Sequence, residues 1–202
     1  MASKNVEIVV TNTVVAHYEA RSYPDQQTDE AGYYPLYKVP VHRILVRGKN
    51  AADAASSFEF MAPRFMPYFN DPEHPDPHYG VKGWANAGLS SANKIKVSRY
   101  KQDYAVHNRY SPGRGAIVLR STFYIHAGPA TLSDWGFGSA GCIEIIGNYD
   151  DFKNAIAELS GLPTASSDSA IQALVAAGKL SVVIQGAKVP DIRNNQTRLV
   201  HD

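Results

Sequence analysis

The chain holds a single cysteine, Cys142, and two short runs place a histidine and glycines around it: Phe123-Tyr124-Ile125-His126-Ala127-Gly128, then Ser139-Ala140-Gly141-Cys142-Ile143-Glu144-Ile145. A thiol becomes a strong nucleophile only when its proton is removed, and an imidazole folded against the sulfur can remove it. Residues two apart on a strand share a face, so Tyr124 and His126 point the same way. Gly128 and Pro129 then turn the chain, and Gly136 and Gly138 let it return. Ile143 and Ile145 alternate with Glu144, which reads as a strand opening at Cys142. A glycine before the nucleophile lets a carbonyl approach and leaves backbone N–H groups free to bind an oxyanion. The chemistry these parts suit is acyl transfer: a thiolate displaces an amine, and the thioester is resolved by another amine or by water. A lone cysteine is more often a small buried hydrophobe, and a lone histidine on a strand is usually structural. The order and the glycine flanks favour the catalytic reading. On that reading Cys142 should alkylate faster than a free thiol at pH 6, with His126→Ala removing the excess.

In order and spacing, His126, Gly128, Ser139, Gly141, Cys142 and Ile143 resemble the catalytic motif of the L,D-transpeptidase catalytic domain family. An acidic residue and a helix soon after the cysteine also fit, at Asp150 or Asp151 and Phe152. The resemblance implies a mixed β-sheet or sandwich domain that needs no cofactor. It implies attack on peptidoglycan stem peptides at the bond before a terminal D-alanine, with transfer to a second stem, a D-amino acid or water. Cys142 would be the nucleophile and His126 the general base and acid. The Gly141 and Cys142 amides would form the oxyanion hole, and Ser139 would orient the loop or the histidine. Tyr124, Gly128, Trp135 and Glu144 are candidates for substrate contact. Trp135 can also be a loop anchor, the commoner role of a large aromatic.

Two positions depart from the family. Ala127 separates histidine from glycine, and Glu144 stands where the family carries an arginine. A carboxylate pointing inward there should raise the pKa of a nearby thiol. Either Glu144 faces away, or Arg114 or Arg120 supplies the positive charge, or specificity differs. Two other readings stay open: a different cysteine amidase or peptidase, and a binding module of the same fold without activity. Some proteins of the superfamily are toxins delivered by a contact-dependent machine. That resemblance adds a secretion machine and an immunity protein to the expected partners, with action in the periplasm.

The elements that must position these residues are mostly strands. At 202 residues the chain reads as one catalytic domain over 1–202, with 190–202 as a loosely held tail. One or two strands are expected over Val6–Val15, and further strands over Tyr33–Val46 (bent at Pro35 and Pro40), Lys94–Val106, Gly115–His126 and Leu180–Gln185. A short helix capped by Asn50 should end near Pro63, and 67–88 reads as a long ordered loop. Helices are expected over Tyr149–Leu159, capped by Asn148 or Asp150, and over Ser167–Ala177. The class is therefore α+β and β-dominated, with two or three short helices.

The formal net charge of +1 argues against an electrostatic nucleic-acid binder. Basic patches at Arg43–Lys49 and Lys94–Lys101 are interrupted by other residues and read as solvated strand faces. One cysteine excludes an internal disulfide. No run approaches the ~18 apolar residues of a membrane span, and no signal peptide is legible, so export by a non-Sec route is expected. Prolines in Glu73–His78 forbid the helix that would align its two histidines, so no metal site is expected there.

Overall fold

The computed structural model describes residues 3–21, 32–68, 83–85, 89–106, 113–120, 123–136, 141–162, 166–189 and 196–201. In chain order the elements are β1 (Val6–Arg21), β2 (Tyr34–Lys49), β3 (Ala55–Pro63), β4 (Met66–Tyr68), β5 (Gly83–Ala85), β6 (Asn93–Lys96), β7 (Tyr100–Ala105), β8 (Arg114–Arg120), β9 (Phe123–Ala127), β10 (Ile143–Ile145), α1 (Tyr149–Ser160), α2 (Ser167–Ala176), β11 (Leu180–Ile184) and β12 (Gln196–Val200). The expected β-dominated α+β class holds, in mixed sheets with two α-helices among the described residues.

One sheet runs β12-β2-β1-β11-β6, with β3 also paired to β2. β1 and β11 are parallel; its other pairs are antiparallel. The second sheet runs β10-β9-β8-β7, with β9 and β10 parallel. β4 and β5 form a separate ribbon. The main core lies where Val6, Ile8 and Val10 of β1 and Ile44 and Val46 of β2 meet Ile117, Ile125, Ile143 and Ile145 of the smaller sheet. Alternation sets this: β-branched residues every second position give each strand one apolar face. α1 adds Phe152, Ile156 and Leu159, all fully buried, and each such burial contributes roughly 1.5–3 kcal/mol. Asn148 caps α1 by accepting from the Asp150 N–H at 3.0 Å, and Gly161 ends it in the left-handed region. A second cluster gathers Tyr18, Val39, Val41, Phe65 and Met66 at the far end of β1 and β2.

Three local expectations are corrected. The segment from Asn50 is a turn and then β3, not a helix. Asn50 Oδ1 accepts from the Ala54 N–H at 3.1 Å, and β3 pairs with β2 from Lys49↔Ala55 to Val41↔Pro63. Phe58 and Phe60 pack on the core at a spacing of two, and that burial overrides the helix propensity of the alanines. Gly115–His126 is two antiparallel strands, β8 and β9, and Lys94–Val106 is likewise β6 and β7 on different sheets. Of the stretch read as a loose tail, Gln196–Val200 pairs antiparallel with β2. Glu73–His78 lies outside the described residues.

Candidate active site

Strand β10 lies parallel to β9 with Ile143↔Ile125, Glu144↔His126 and Ile145↔Ala127 in register. The isoleucines face the main core. Alternation then puts Glu144 and His126 on the opposite face, with Cys142 beside Tyr124 at the head of the pair. His126 sits one strand over and two residues on from Cys142, a diagonal of roughly 7–8 Å between α-carbons. The expected elements do bring thiol and imidazole onto one face. They arrive there through a parallel pair, which needs a long connection between the end of β9 and the start of β10.

That connection is tied to β1. The Gly136 N–H donates to the Glu19 carbonyl at 2.8 Å, and the Arg21 N–H donates to the Gly136 carbonyl at 2.8 Å. Half-buried Trp135 meets the buried Arg21 guanidinium at 4.7 Å from its ring centroid, an anchoring contact. Gly128 donates its N–H to the Ile145 carbonyl at 2.7 Å, and a Cβ there would lie 2.9 Å from both Glu144 Cβ and that carbonyl. Only glycine permits this close approach of the turn to β10. Gly128 also lines a cavity of about 340 Å³ at the head of α1. Gly141 has φ +121°, a conformation that side chains resist. Ser139 lies outside the described residues.

The ionisable groups on this face are dry. Cys142 is 6% exposed, Glu144 4% and His126 2%. His126 Nδ1 lies 2.7 Å from the Ala127 carbonyl oxygen. A carbonyl only accepts, so Nδ1 carries the hydrogen and Nε2 is the basic nitrogen. Burial pushes the imidazole down to about 4, against which the Ala127 hydrogen bond works. The Cys142 thiol is pushed up to about 11 by burial first; the Tyr124 backbone N–H and Lys101 oppose this, and Glu144 adds to it. Glu144 is itself raised to about 7 by burial, with the Tyr18 hydroxyl at 3.4 Å holding it down. At neutral pH the resting pair is therefore a thiol and a neutral imidazole. Desolvation of the sulfur thus works against the fast alkylation at pH 6 that the catalytic reading expects.

Glu144 is buried and raises the thiol, which excludes the case in which it faces away. Neither Arg114 nor Arg120 answers it; both are exposed at the ends of β8. The positive charge comes from Lys101 on β7, whose Nζ donates to the Tyr124 hydroxyl at 2.8 Å and sits 4.4 Å from the centre of that ring. Tyr104 completes the wall, its ring 5.6 Å from His126 and 5.2 Å from Tyr124. Tyr18, Lys101 and Tyr104 carry no local motif. They reach the site through strand order alone, which places β7 two strands from β9 and β1 across the interior.

Among the described residues no group of acidic, histidine and cysteine side chains is arranged to hold a metal ion, and no helix is long and apolar enough to cross a membrane. Comparison with protein-family models, curated proteins and solved structures finds no match to this chain.

Proposed function

We propose that the Cys142 face performs cysteine-dependent acyl transfer on peptide amides, with peptidoglycan stem peptides as the substrate class, in the manner of an L,D-transpeptidase or L,D-carboxypeptidase. The observation that carries this reading is the β9–β10 register, which sets Cys142, Tyr124, His126 and Glu144 on one face directly after Gly141, whose φ of +121° suits glycine alone. His126 Nε2 takes the thiol proton as sulfur attacks the carbonyl carbon. The Gly141 and Cys142 N–H groups receive the oxyanion. The C–N bond breaks, the amine leaves with the proton from His126, and water, a D-amino acid or a second stem amine resolves the thioester. Trp135 and Gly128 support this site by anchoring and close packing, and Tyr124 lines it.

One observation favours a second reading, a binding module without activity. The thiol stands at about 11, so the sulfur rests protonated, and the imidazole at about 4 is neutral but a weak base toward it. Incubation with purified muropeptides, read by mass spectrometry, separates the two. Loss of D-alanine, D-amino-acid exchange or new cross-links, all absent from Cys142→Ala, establishes the enzyme. Unchanged stem peptides together with retained binding to them establish the module.

A further inference from the structure

The first basic segment of the sequence, Arg43–Lys49, and the start of the second, Lys94 and Lys96 on β6, fold onto the same sheet. Register aligns Lys96 with Ser181, Ser181 with Glu7, Glu7 with Arg47, and Arg47 with Ser57. The row crosses β6, β11, β1, β2 and β3, four inter-strand steps or roughly 19 Å. It floors a trough of about 980 Å³, which Lys49, Lys94 and Lys179 also line. Five of its lining residues are cations and Glu7 is its single carboxylate, in a chain of formal net charge +1. The rest of the molecule is therefore net acidic. Glu7 accepts from Lys94 Nζ at 2.9 Å and from Arg47 Nε at 2.7 Å, which fixes both cations over the trough. Lys49 is held by Asp53 at 2.9 Å.

We infer that this trough binds a linear, base-free phosphate polymer. The length of the row suits an extended chain over a single ion. Serine hydroxyls at 56, 57 and 181 are donors, and lysines serve phosphate as point charges. Among the described residues no aromatic side chain lines the trough, so they offer no platform for stacked bases. It also lacks the aromatic or large apolar anchors on which protein partners depend. The site lies on the outer face of the six-stranded sheet, away from Cys142, and does not depend on the activity proposed for that residue.

The test is titration of the isotope-labelled protein with a short linear polyphosphate, followed by NMR. Amide shifts should concentrate at Ser57, Lys96, Lys179 and Ser181. Affinity should fall with salt at a log–log slope of about −3 to −4, as for four or five neutralised phosphates. Lys94→Glu/Lys96→Glu should weaken binding at least tenfold. Lys38→Glu/Lys188→Glu, with the same charge change on exposed residues elsewhere, should leave it within about twofold. Equal loss in both variants, or shifts scattered over the surface, overturns the site. Tighter binding of poly-L-glutamate or of single-stranded oligothymidine overturns the ligand class.

Discussion

On the four-stranded sheet Glu144 stands beside His126 and is closed over by Tyr18; on the six-stranded sheet Glu7 stands beside Arg47 and stays at the surface. Both are mid-strand carboxylates on the face that alternation turns away from the main core. Their acidities move in opposite directions. Burial pushes each one up. For Glu7, hydrogen bonds from Lys94 and Arg47 outweigh that push and hold the carboxyl below its usual range. Glu144 has a neutral hydroxyl at 3.4 Å in place of two cations and rises to about 7. A strand position fixes which side a residue faces; the layer across from it decides whether a charge can be sustained there.

The sharpest way to break this contrast is charge reversal on each face. Glu144→Arg buries a guanidinium without a counter-ion and should cost about 3–5 kcal/mol in urea unfolding. Glu7→Arg should cost about 1 kcal/mol or less, since Arg47 and Lys94 can relax into water. Similar costs would mean that the Glu144 face is wetter than described. Glu144→Gln comes next. In the unfolded chain the carboxyl ionises near 4.5, while the folded protein holds its proton to about 7. The folded state thus binds the extra proton, and stability is lost as pH rises through that window. Glutamine removes this loss. It should stabilise the protein by about 3 kcal/mol above pH 7 and by little below 4.5, as thermal melts across that range would show.

Thiol reactivity sharpens the comparison further. With its pKa near 11 against the ordinary 9.0, the Cys142 thiolate fraction at pH 8 should be about a hundredfold below that of a free thiol. Iodoacetamide kinetics against pH measure it. Glu144→Gln should shift the profile to lower pH and Lys101→Met to higher pH. A profile unmoved by both would show that burial alone sets the thiol. The smallest effect belongs to the open face. Arg47→Ala should change stability by less than about 1 kcal/mol, and the difference should shrink as salt is raised.

Much of the site was legible because its signals are local. Cys142, His126 and Gly141 were marked by residue type, glycine flanks and a two-residue period, and the inward turn of Glu144 was posed as a specific alternative. Helix α1 was readable from Asn148 through Gly161 because its cap, apolar stripe and stop all lie within one segment. Helix propensity misled at Asn50–Phe58, where the pairing of β3 with β2 over nine positions decided the outcome.

The sequence by itself determined which residues alternate, which can ionise, and that a lone thiol lies among glycines after a strand-borne histidine. Tertiary structure decided the rest: Lys101 as the site's cation, Tyr18 as the carboxyl's partner, and the meeting of Arg47 and Lys49 with Lys94 and Lys96 in one trough. The reason is physical. Local sequence sets the direction of a side chain, whereas its solvation and its charged neighbours are properties of strand order and of layers that only long-range pairing assembles.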